Sequence, residues 1–267
     1  MPLLLLKLTL TPILIGGASL AARRWGPTIG GWIVGLPLTS GPVLLFIALE
    51  HGPSFAATTS VGTLLGIAAI AGYCVGFIAA SPRGPAVAFA AASVSYVATG
   101  LVGQLLAGWP FLALVALSSG AIVVAFLRLP ATSGRRSTTP HPVWDLPARM
   151  VVGTALVLGL TSLAPLLGPT ASGIATTFPV YVSVLSIFAF LHDGRAAALG
   201  VLRGLLVGLF GTIGFYIAVH TLVESAGIGP AFAAAVATSL AVSGLALRQA
   251  GTGSGKQAEA ALELESA

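Results

Sequence analysis

Charge is what this sequence has least of. Of 267 residues only 7% are Asp, Glu, Lys or Arg, while 56% are apolar and the mean hydropathy is +1.01. A soluble domain carries about 25% charge, so this chain has too few charged groups to solvate a surface in water. There is a single cysteine, Cys74, set within an apolar run. That excludes an internal disulfide framework and a cysteine metal cluster. No Walker loop, HExxH or GxSxG occurs, so the usual signatures of nucleotide-driven, zinc or serine hydrolase chemistry are missing. The GSGK of the tail lacks the P-loop spacing and a preceding strand. The expectation is a protein that is not an enzyme and needs no cofactor or metal.

What is present is a series of apolar runs of about 20 residues, the length a membrane helix needs. Nine spans are read at 3–22, 29–50, 55–80, 84–107, 109–128, 148–167, 171–192, 196–222 and 228–248. The first run lacks a basic stretch ahead of it, so a retained helix is expected rather than a cleaved signal. The 34 glycines suit close helix packing in lipid. The only long polar connection is 129–147, and 249–267 reads as a flexible tail with some helical tendency.

The net charge of +5 does not point to nucleic acid. Arg23, Arg24, Arg83, Arg128, Arg135, Arg136, Arg149, Arg195, Arg248 and Lys256 all follow odd-numbered spans or flank the long link, whereas the even connections hold no Lys or Arg. By the positive-inside rule the odd connections are cytoplasmic, the N-terminus lies outside and the C-terminus inside. The expected location is a bacterial inner membrane, with the lipid bilayer and a small solute as partners; a homo-oligomer stays open.

The segment GPTIGGWIVGLPLTSGP, 26–42, places prolines and glycines in a spanning run, where they break helices. A second copy explains it. Shifted by 142 positions, GPTIGGWIVGLP (26–37) falls on GPTASGIATTFP (168–179), and LFIALEHG (45–52) on IFAFLHDG (187–194). About sixteen of the seventy positions 7–76 are identical without a gap, and one residue later FAAA (89–92) meets FAAA (232–235). Residues 1–107 and 148–248 are therefore read as two four-helix repeats. The linking helix 108–128 has no mate, so the second repeat enters from the opposite side. This is the inverted-repeat plan of many secondary transporters.

Pro37 and Pro179 then become paired hinges. The hydroxyls of Thr39, Ser40, Thr176, Thr177, Tyr181 and Ser183 become candidate solute ligands, because broken helices at membrane depth are tolerated where they line a cavity. Arg203 lies inside span 8 and selects an anionic solute, pairs with Asp193, or snorkels to the surface. Glu50 with His51, and His192 with Asp193, place a carboxylate and an imidazole at each face as coupling or gating groups. His220 and Glu224 are four apart on one helical face; with Glu50 and His51 they are also candidates for a metal or a lipid-directed catalytic group. Lys7 and Arg149 are expected to snorkel.

Lys7, GLPLTSGP and LLFIALEHG resemble the GlpM-type family of small bacterial inner-membrane proteins. Arg149, Pro179 and IFAFLHDG carry the likeness into the second repeat. Those chains have four helices, so the resemblance implies a fused antiparallel pair joined by the linking helix. The proline spacing, Pro37 to Pro42, differs from the family pattern. The ten-helix drug/metabolite transporters are a looser comparison, since they repeat five helices. The sequence thus points to an all-α integral membrane protein working as a secondary transporter, with a membrane scaffold for envelope assembly as the alternative.

Overall fold

The structure, a computed structural model, describes residues 2–130, 142–163 and 178–265. Among the described residues the regular elements are all helical. They are α1 (Pro2–Trp25), α2 (Pro27–Gly35), α3 (Ser40–His51), α4 (Pro53–Ala80, continued by a 3-10 turn Ser81–Arg83) and α5 (Pro85–Leu105). Then follow α6 (Phe111–Leu127), α7 (Asp145–Leu163), α8 (Val180–Asp193), α9 (Arg195–Ala226) and α10 (Ile228–Glu265). Among the described residues five stretches are long and apolar enough to cross a membrane: Pro27–His51, Pro53–Arg83, Pro85–Leu105, Arg195–Ala226 and Ile228–Gln249. The outward faces carry large apolar side chains, such as Val94, Leu105, Leu112, Leu127 and Leu245. Lipid tolerates such a surface and water does not. The molecule is a membrane-embedded helical protein.

Single glycines turn the chain between helices. Gly26, Gly52, Gly84, Gly194 and Gly227 each have φ between 81° and 105°. Their ψ values lie between 160° and 177°. This backbone region belongs almost only to glycine. At the first three corners a proline opens the next helix, where its fixed φ and missing N–H cost nothing. Gly52 and Gly194 are 142 positions apart, and Gly84 and Gly227 are 143 apart.

α9 sits at the centre and packs on α2, α4, α6, α8 and α10. α4, the other buried helix, packs on α5 as α9 does on α10. α1 meets α7. One end of the bundle carries Arg23, Asp145, Arg149, His192 and Arg195 and is called the basic end. The opposite end, with Glu50, His51 and Glu224, is called the acidic end.

Several elements differ from the expected spans. The run expected at 29–50 is two helices, with Leu36 to Thr39 between them. Leu36 is extended at ψ 155°, as the ring of the following Pro37 demands. The span expected at 171–192 is described only from Phe178 onward, and Pro179 stands immediately before α8. Residues 164–177, including Thr176 and Thr177, lie outside the described residues, as do 131–141 of the polar link. The end of that link is not loop: Asp145 begins α7 and is fully buried. The expected flexible tail continues α10 as helix to Glu265, where its closing AEAALELE is made of strong helix formers.

Candidate functional site

The side chains that could handle a polar solute are arranged along α9. Thr212, Tyr216, His220 and Glu224 recur every four residues, so they run up one side of the helix from its middle to the acidic end. Each is held by a different neighbour. Thr212 Oγ1 donates to the Gly35 carbonyl at 2.6 Å. The Tyr216 hydroxyl lies against the hydroxyls of Ser40 and Thr63. His220 Nδ1 is 3.1 Å from the Ala57 carbonyl, and its ring stacks on Phe111 with centroids 3.8 Å apart. Glu224 accepts a hydrogen bond from Ser54.

The same row continues toward the basic end as Gly208, Gly204 and Gly200. Here α2 lies directly on α9. A methyl group on Gly204 would stand 1.8 Å from the Thr28 carbonyl oxygen, and one on Gly31 would stand 1.9 Å from that of Val201. Gly35 and Gly208 meet the same way, with the Cβ of either less than 3 Å from the other's Cα. Small residues are what let membrane helices approach this closely. The approach positions the break. α2 is pinned along its length and ends at Gly35, and the carbonyl left free there is taken by Thr212. Replacing Thr212 by Val removes that donor and leaves a buried carbonyl unpaired, at a cost of about 1–3 kcal/mol. Melting in detergent should show the loss, and Thr212→Ser should restore most of it.

The start of α8 at Pro179 has a related environment. Tyr73 of α4 lies against Ser183 and Ser186 of α8. Among the described residues its buried hydroxyl closes no hydrogen bond. Ser183 Oγ donates instead to the Pro179 carbonyl at 2.8 Å. Tyr73 and Tyr216 are 143 positions apart, and so are Ser40 and Ser183. Each tyrosine thus faces a serine of the opposite half, close to Pro37 or Pro179.

At the acidic end a cavity of about 520 Å³ opens between α4, α9 and the end of α5. Its walls include Ser54, Thr58, Gly62 and Leu65 of α4 together with His220 and Glu224. Eleven residues separate Ser54 from Leu65, which is about 16 Å along a helix and roughly half the hydrocarbon core. Glu50 and His51 do not line it. They are solvent-exposed, with His51 Nε2 4.0 Å from Glu50 Oε2. The four-residue acidic-end cluster that a metal or catalytic role would require is therefore split. Among the described residues no group of three or more His, Cys, Asp or Glu could hold a metal ion.

The basic end is closed by ion pairs around Asp145. Its Oδ2 accepts from Arg23 Nη2 at 2.6 Å and from Arg149 Nε at 2.9 Å, and His192 Nε2 stands 3.0 Å from Oδ1. Arg149 does not snorkel. It is buried, and its guanidinium lies over the Phe188 ring. Asp193 lies near enough to Arg149 to favour its charge. His192 and Asp193 thus belong to a partly buried cluster, centred on the buried Asp145 and Arg149, that joins α1, α7 and α8. Nearby, Arg195 Nε donates to Ser81 Oγ at 2.8 Å.

Arg203 lies off the polar row of α9. Its guanidinium rests on the Phe126 ring, with Nη2 3.4 Å from the Pro130 carbonyl at the end of α6. It is nine residues from Thr212, or about 13 Å along the helix. Tyr181 faces α1, its hydroxyl 3.3 Å from Thr11 Oγ1. Thr39 precedes α3 without capping it through its side chain. Of the expected ligands, the structure brings Ser40 and Ser183 to the tyrosines beside the breaks. Thr212, Tyr216 and Asp145 were not anticipated. The four-residue spacing from 212 to 224 was the signal that could have found the first two. The chain matches no protein-family model, no curated protein and no solved structure.

Proposed function

We propose that the protein is a secondary transporter of a small solute, working by alternating access of two inverted repeats. The observation that carries the reading is the continuous polar row on α9. It begins in a cavity open at the acidic end and ends at a helix break. A vestibule leading to interrupted backbone at mid-membrane is how such proteins bind solutes. The tight ion pairing at the basic end fits a state closed on that side.

The repeat reading has further support. Corner glycines recur at matched positions, and the two tyrosine–serine pairs are 143 positions apart, one residue off the 142-residue register of that part of the repeat. α1 packs on α7 and α4 on α9, so matched helices meet each other, as elements beside a twofold axis do. The positive-inside rule then makes the basic end cytoplasmic and the acidic end external, in a bacterial inner membrane. The resemblance to the GlpM-type family agrees with a fusion of two antiparallel four-helix units. Arg203, lying away from the row, has no part in this reading.

The scaffold alternative draws on one observation, the glycine-packed contact of α2 with α9, which leaves no space between them. Transport assays separate the two. Purified protein in liposomes should give uptake of one solute from pools of labelled amino acids, amines, organic anions and sugars, or a current on a solid-supported membrane. The double variant Pro37→Ala, Pro179→Ala should fold and lose about tenfold or more in rate, equivalent to ~1.4 kcal/mol on the barrier. An unchanged rate removes the hinges, and no uptake from any pool favours the scaffold.

A further inference from the structure

The cavity at the acidic end has an unusual hydrogen-bond balance: its polar groups have already committed their protons. Ser54 Oγ donates to Glu224 Oε1. Thr58 Oγ1 donates to the Ser54 carbonyl at 3.0 Å. His220 faces the Ala57 carbonyl through Nδ1. A carbonyl only accepts, so Nδ1 carries the hydrogen, and in the Nδ1–H tautomer Nε2 keeps a lone pair. What remains uncommitted among these lining groups is acceptors: Glu224, His220 Nε2 in that tautomer and the two hydroxyl oxygens. Among the described residues no Lys or Arg lines it, and none of them sets a cation beside the Glu224 carboxylate in the wall. The deeper lining, from Ala57 and Val61 to Leu65, is apolar.

We propose that this cavity binds a small organic cation with a primary ammonium head and a short apolar body. An ammonium brings three donors and no acceptor, which complements an acceptor-only, negatively charged wall. The apolar body fits the deeper lining. A carboxylate or phosphate would meet lone pairs and a like charge. A bare metal ion would find only one imidazole and one carboxylate, too few for a closed site. As a substrate assignment the proposal rests on the transport reading; as a binding site it stands without it.

The test measures charge preference in the cavity directly. Gly62, whose added side chain would meet open space, is changed to Cys on a Cys74→Ser background. Its reaction at pH 8 with ammonium-bearing and sulfonate-bearing methanethiosulfonates is compared, each rate normalised to that of a small free thiol. The ammonium reagent should be favoured by about tenfold, the order expected for one unit charge a few ångströms away in a partly solvated site. Glu224→Gln should bring the ratio close to one. n-Butylamine, but neither butyrate nor butanol, should slow the labelling and raise the melting temperature of the unmodified protein. Equal normalised rates, a ratio indifferent to Glu224→Gln, or stabilisation by butyrate instead would overturn the proposal. If the cysteine variant does not fold, the melting comparison on the unmodified protein decides alone. Charge preference without uptake from any pool would keep the site and overturn the transport reading. Uptake of a different solute class without charge preference would do the reverse.

Discussion

Gly204→Ala is expected to abolish the folded protein, whereas Gly62→Ala, 142 positions earlier, is expected to melt with the wild type. The contrast comes from what each added methyl group would meet. At Gly204 it would lie 1.8 Å from the Thr28 carbonyl oxygen and 2.7 Å from the Trp32 nitrogen. Those atoms are backbone of α2, so no side chain can rotate aside. α2 would have to lift off α9, and the facing contacts at Gly31, Gly35 and Gly208 would open with it. Overpacking a rigid contact costs about 1–3 kcal/mol or more, and losing the close approach of two membrane helices adds to that. Thr212 would also part from Gly35, uncovering the carbonyl at the break. At Gly62 nothing lies within 4 Å, because that position faces the cavity. Gly31→Ala should fail as Gly204→Ala does. Size-exclusion profiles and thermal melts in detergent read all three. A Gly204→Ala protein that stays monodisperse and melts normally would mean that α2 is not seated on α9.

The break was legible because it is local. Pro37 fixes its own φ and the extended conformation of Leu36, and both effects follow from neighbouring residues. The corners were partly legible for the same reason, since Gly-Pro pairs at 26–27, 52–53 and 84–85 mark helix starts. The row on α9 was not, although its spacing is plain once seen. A threonine or tyrosine in an apolar run is commonplace, and its role depends on partners about 150–180 positions away. The charged residues were harder still. Asp145 reads as part of a polar link, and nothing near it in sequence says that Arg23 and His192 converge on it. Arg149, four residues on, fits snorkelling and ion pairing equally well. Arg203 could be placed near the membrane centre or near its edge until α6 was seen to end beside it. Helices are written in local pattern; which faces meet is decided by packing among distant segments.

Asp145→Ala should be the most damaging single change at the basic end. The carboxylate is fully buried, and the Arg149 side chain beside it is 5% exposed. Removing the acid leaves a buried guanidinium without its hydrogen-bonded counter-charge, which costs about 3–5 kcal/mol. Arg23, 28% exposed at its side chain, can turn toward water, so Arg23→Ala should cost far less. Asp145→Asn keeps the shape and one acceptor but loses the charge, and should fall between the two. The diagnostic result is the double variant. If the penalty of Asp145→Ala is mainly the stranded Arg149, then Arg149→Met on top of it should recover a large part of the lost stability, because an apolar chain of similar length fills the site without needing a partner. Melting of the wild type, Asp145→Ala, Arg149→Met and the double variant gives the coupling between the two sites. Simple additivity would mean that Arg149 reaches water when Asp145 is gone, and that the cluster is not a sealed closure. Strong coupling would mean that Asp145 and Arg149 form one buried unit of α7, the unit on which Arg23 of α1 and His192 of α8 converge.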